Sequence, residues 1–72
     1  MTKRQAEALS FVKKFWAENG YSPSYEEIAT ELAVHKSSAI GIITGLRDRG
    51  YVDVMTGKAR SITLTEKANV GL

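Results

Sequence analysis

The stretch Ala33–Gly50, AVHKSSAIGIITGLRDRG, constrains the fold more than any other part of the chain. On a helical wheel Ala39, Ile42, Ile43 and Leu46 fall within about 100° of one another, which is one buried stripe. Ser37, Gly41, Thr44, Gly45 and Asp48 fall on the outward side, with Ile40 and Arg47 at one flank. Val34-His35-Lys36 reads as the turn into this helix, and Gly50 as its stop, so the helix is expected over 36–49. A helix with a single apolar stripe needs other elements to cover it.

Two helices upstream provide that cover. Thr2 with Gln5 three residues on forms a capping-box pattern that opens a helix over 2–19. Its apolar residues Ala8, Leu9, Phe11, Val12, Phe15 and Trp16 span about 160°, wider than the roughly 100° stripe of an ordinary surface helix. One edge, either Phe11 with Phe15 or Leu9 with Trp16, is therefore a candidate to stay uncovered and to serve a homodimer. The same width also suits a bulky core helix in a short chain. Gly20 closes this helix with a left-handed cap. Tyr21-Ser22-Pro23 is extended, because a residue before proline is pushed away from helix, and it is a candidate for a single-bridge strand. Ser24 with Glu27 repeats the capping box for a helix over 25–33, with Ile28, Ala29 and Leu32 inward.

Downstream, Tyr51–Met55 and Ser61–Thr65 alternate as strands, with Val52, Val54, Ile62 and Leu64 on their apolar faces. Thr56-Gly57-Lys58-Ala59 is the turn between them, so 51–65 forms a hairpin with a basic tip, Lys58 and Arg60. Thr65 is placed to cap a last helical turn through Ala68, while 69–72 carry no pattern. The whole chain, 1–72, is expected to be one mainly α domain with a small β-hairpin. It would be a winged helix-turn-helix of three helices and a two- or three-stranded wing.

Composition removes several alternatives. Without cysteine there are neither disulfides nor thiolate zinc sites. No apolar run approaches the roughly 20 residues of a membrane span, and no signal-peptide pattern is present, so a cytoplasmic location is expected. His35 has no ligand partner at metal spacing, and no nucleophile–base pair, phosphate loop or carboxylate dyad is visible. No cofactor, metal or catalysis is expected. The net charge is only +2, but it is segregated. Residues 18–34 carry Glu18, Glu26, Glu27 and Glu31 and no cation. Residues 35–60 carry Lys36, Arg47, Arg49, Lys58 and Arg60 against Asp48 and Asp53. Such segregation suits a polyanion on one face, although blocks of this size also arise by scatter in a short chain.

A helix-turn-helix needs a small residue where its helices cross, an apolar plug in the turn, and a buried stripe on the second helix. Ala29, Val34, and Ala39 with Ile42 and Leu46 meet those needs. A helical miniprotein with no nucleic-acid role would use the same crossing. Residues 2–64 resemble the N-terminal DNA-binding domain of the LexA repressor family, through TKRQAEALSFV, ENGYSPSYEEIATEL, SSAIGIITGLRDRGYV and the closing ARSITL. The block GYSPSYEEIA is the most specific of these. LRDRGYV and ITLTEKA also resemble MarR-type winged helices. Two departures stand out. The turn between the second and third helices looks one residue shorter than in typical LexA domains, and the serine–lysine self-cleavage domain has no counterpart. The resemblance therefore implies DNA binding but not the peptidase.

The resemblance further implies that the third helix enters the major groove of double-stranded DNA, with Lys36, Ser37, Ser38, Ile40, Gly41 and Thr44 facing the bases. Arg47 would clamp phosphate, and Ser24 and Tyr25 would offer donors to phosphate at a helix start. Lys58 and Arg60 would reach the backbone or the minor groove. The outward glycines, Gly41 and Gly45, would allow close approach of DNA or of a partner protein, or would reflect drift at exposed sites. Expected partners are a two-fold DNA site, a second copy through Phe11, Phe15 and Trp16, and, as an alternative, a host regulator or polymerase. RNA is a weaker alternative, since the wing lacks exposed stacking aromatics.

Overall fold

The structure, a computed structural model, describes residues 1–55 and 57–70. Thr56 of the expected turn and residues 71–72 of the unassigned tail lie outside them. The elements run α1 (Lys3–Asn19), α2 (Tyr25–Leu32), α3 (Lys36–Asp48), β1 (Val52–Val54), β2 (Ile62–Leu64) and α4 (Glu66–Val70). Helix α1 starts where expected: Thr2 Oγ1 accepts from Gln5 N at 3.1 Å, and Gln5 Oε1 accepts from Thr2 N at 3.0 Å. Helix α2 has the same box, Glu27 N to Ser24 Oγ at 3.2 Å and Ser24 N to Glu27 Oε1 at 2.8 Å. The left-handed cap of α1 is Gly20 at φ 77°. That of α2 is Ala33 at φ 56°, a conformation that disfavours any residue with a Cβ. The left-handed cap ends α2 one residue before the expected boundary.

Helices α1, α2 and α3 close on a core of Ala8, Leu9, Val12, Ile28, Ala29, Leu32, Ala39, Ile43 and Leu46, joined by Val52, Ile62 and Ala68. The inward stripe of α3 is narrower than expected, because Ile42 is only half-buried at the margin of this core. The strands pair antiparallel with Val52 opposite Leu64 and Val54 opposite Ile62. Val52 and Ile62 are buried, whereas Val54 and Leu64 are half-buried.

Two further expectations are corrected. The segment Tyr21-Ser22-Pro23 is extended but forms no strand, and the sheet has two strands among the described residues. Its link to the wing runs through a side chain: buried Ser22 Oγ accepts from Ile62 N at 3.0 Å and donates to Pro23 O at 2.8 Å. Pro23 has no N–H to give to a ladder, and the Ile62 N–H, which a neighbouring strand's carbonyl would accept, is taken by the serine hydroxyl. The second correction concerns Gly45. It does not face outward with Gly41; a Cβ on Gly45 would run into the amide of Gln5. The space that glycine leaves is filled by the residue that caps α1, so α1 and α3 touch there.

The wide apolar arc of α1 is resolved asymmetrically. Leu9 is fully buried, and Trp16 Nε1 donates to Ile62 O at 2.9 Å, fastening α1 to the wing. The opposite edge, Phe11 and Phe15, stays half-exposed, with Phe15 edge-on to Tyr21 at 5.4 Å.

Candidate nucleic-acid interface

Helix α3 is held on one side by fully buried Ala39, Ile43 and Leu46, which fixes the opposite side toward solvent. Along its first two turns Lys36, Ser37, Ser38, Ile40 and Gly41 are exposed, Ile40 to 39%. Nothing lies within 4 Å of where a Gly41 Cβ would sit. Thr44 is half-buried, and its hydroxyl donates to Ile40 O at 2.8 Å. Its proton is thus spent inside the helix, leaving the oxygen as an acceptor. The result is a smooth, short-chained surface with one apolar projection, Ile40.

Cations border this surface. Arg47 is exposed, with Asp48 Oδ1 at 3.9 Å, a distant and weak pairing. Lys58 is exposed near the wing tip. There Ser61 Oγ braces the turn, accepting from Met55 N at 3.2 Å and sharing its proton between Met55 O and Lys58 O, each at 3.0 Å. Arg49 is exposed at the end of α3 and was not among the candidates. Its position just before Gly50 and the wing is the signal that would have nominated it.

Four candidates are engaged within the domain. Arg60, at φ 52°, turns back from the wing to α2, donating to Glu27 Oε1 at 2.7 Å and to Ser22 O at 3.2 Å, over the Tyr21 ring. Lys36 Nζ lies 3.0 Å from Glu26 Oε1. Ser24 spends its side chain on the capping box, and Tyr25 is half-buried against the core. Both glutamate carboxyls are held below the ordinary carboxylate range. For Glu26 the cause is the Lys36 hydrogen bond and charge; for Glu27 it is first the Ser24 backbone N–H and then Arg60. Arg60 is raised in turn, chiefly by its bond to Glu27. The start of α2 is thus anionic as well as rich in N–H donors.

His35 precedes α3 as its N-cap and makes no side-chain capping bond. Between α1 and α2 lies a shallow groove of ≈ 330 Å³, floored by Phe11 and Phe15 and rimmed by Glu26, Glu27, Thr30 and Glu31.

Three helices followed by an antiparallel hairpin, with the third helix presenting one free face beside the hairpin, define a winged helix-turn-helix domain. Residues 1–61 match the LexA DNA binding domain, and the chain belongs to that family. It is similar to the LexA repressor of Thermotoga maritima, 32% identical over 66 residues that cover 92% of this chain and 34% of the relative. The LexA repressor of a Ruegeria species is 35% identical over 63 residues, covering 86% of this chain and 26% of that protein. That of Desulfatibacillum aliphaticivorans is 31% identical over 65 residues, covering 89% and 32%. The chain therefore spans about a third or less of the length of these relatives. No described helix is long and apolar enough to cross a membrane.

Proposed function

We propose that this domain binds double-stranded DNA sequence-specifically and acts as a transcriptional repressor in the cytoplasm, with α3 in the major groove. The observation that carries the reading is the free face of α3: short side chains around Gly41, one exposed isoleucine, and cations at Lys36 and Arg47 on its borders. Ser37, Ser38 and Thr44 offer hydroxyl oxygens to base edges, Ile40 suits a thymine methyl, and Gly41 lets the helix axis approach closely. Lys58 serves the phosphate backbone or the minor groove, Arg60 joins it on leaving Glu27, and Ser24 and Tyr25 offer their donors to a flanking phosphate. Few long polar side chains point outward, so base contacts are sparse and charge supplies most of the affinity.

A single module buries roughly 600–1,000 Å² on DNA, so two copies on a two-fold site are the natural way to gain affinity. The half-exposed Phe11–Phe15 edge is the surface we assign to that pairing; Trp16, bonded to the wing, is less available. The same edge favours a second reading, a protein-interaction module whose partner sits in the groove between α1 and α2.

A titration of the K36A/R47A double variant against duplex DNA at low salt separates the two. The DNA reading expects affinity to fall by about tenfold or more, since two phosphate contacts are lost. Unchanged affinity would remove these residues from the interface. Selection of bound sequences from a random duplex pool would then report the site, and a palindrome would report the dimer with it.

A further inference from the structure

Helix α2 opens with adjacent glutamates, and each holds a cation that the DNA reading assigns to the interface. The two pairs are built differently. Glu27 is fixed by the Ser24 backbone N–H at 2.8 Å, and its partner Arg60 also donates to Ser22 O and stacks over Tyr21. That pair is a latch between α2 and the wing, with second partners on both sides. Glu26 and Lys36 have only each other among the described side-chain bonds. Their side chains are 67% and 58% exposed. A single exposed pair between two flexible chains separates at little cost. Lys36 is also the first residue of α3, the end of the helix nearest the groove in this docking mode.

We propose that Glu26 is an internal competitor for DNA phosphate at Lys36, and so a residue that holds down affinity for DNA of arbitrary sequence. The proposal rests on the reading that Lys36 lies at the DNA interface. A phosphate arriving at Lys36 must displace a carboxylate 3.0 Å away that carries charge of the same sign as its own. On random DNA, phosphate contacts supply nearly all the binding, so a cation already neutralised is a contact forfeited or made at a cost. On a matched site α3 is seated by base contacts as well, and the exchange of Lys36 from carboxylate to DNA is driven by the whole interface. The Glu27–Arg60 pair, held at several points, takes no part in this exchange.

The test is the affinity of the E26Q variant for a random-sequence duplex at low salt. Glutamine has nearly the helix propensity of glutamate, and a thermal melt confirms that the variant is folded. The proposal expects binding about two- to fivefold tighter, the range an exposed ion pair spans. The slope of log affinity against log salt should steepen by up to about 0.9, one more phosphate contact. E31Q removes the same charge five residues further along α2, where no ion pair is formed among the described residues, and should change affinity by less than about twofold. In a K36A background, E26Q should have no effect. Equal tightening by E31Q, or tightening by E26Q that survives in K36A, would show a net-charge effect and overturn the proposal. No tightening by E26Q in a domain that binds duplex would overturn it as well. Failure of the unaltered domain to bind any duplex would instead bring down the DNA reading itself.

Discussion

The two sides of α3 obey opposite rules. On the closed side Ala39, Ile43 and Leu46 have no exposed surface, and each touches a core made by elements on either side in sequence. On the open side Ser37, Ile40 and Gly41 are exposed, and a Cβ at Gly41 would meet no other part of the described structure. Stability is written on the first side and recognition on the second. The helix can therefore change what it reads without changing how it is held. Gly45 marks the boundary: four residues from Gly41, it lies under Gln5 rather than in solvent.

That contrast can be broken most forcefully at the isoleucines. I43A deletes a fully buried side chain and should cost about 2–5 kcal/mol, which a domain of this size scarcely survives. I40A should shift stability by no more than about 0.5 kcal/mol while weakening DNA binding. Thermal or urea unfolding of both variants, beside a DNA titration of I40A, checks the division; similar losses of stability from the two would erase it.

A smaller effect sharpens the boundary. G41A adds a methyl group in open space and should stabilise by about 1 kcal/mol, the propensity difference between glycine and alanine in a helix. The same change at Gly45 should yield less. The new Cβ would displace the Gln5 amide from Thr2 N and loosen the cap that opens α1. Equal gains at the two positions, measured by melting temperature, would show that Gln5 moves aside freely.

Much of this was legible in the residues because it depends on local chemistry. Both capping boxes, the glycine cap at Gly20 and the alternation in the wing need only neighbours within a few positions to be read. The buried stripe of α3 was legible to within one residue, Ile42. Features that depend on residues far apart in sequence were not. Nothing near Gly45 announces Gln5, and nothing in a turn announces that Arg60 will fold back on Glu27 through a left-handed backbone. Pro23 suggested an extended segment correctly, but not that the Ser22 hydroxyl would accept the Ile62 N–H. At the interface the positions of the cations were readable; their pairing with the start of α2 was not.

Whether the open side of α3 and its bordering cations form a DNA interface is tested most directly by salt. Binding of the unaltered domain to duplex DNA should be measured across a range of salt at constant pH. On a duplex of random sequence, with Lys36 and Arg60 held by Glu26 and Glu27, the two cations Arg47 and Lys58, each neutralising one phosphate, predict a slope of log affinity against log salt of about −1.8 per domain. Removing Arg47 or Lys58 should reduce its magnitude by about 0.9 each. A slope near zero, or one that these substitutions leave unchanged, would contradict the account.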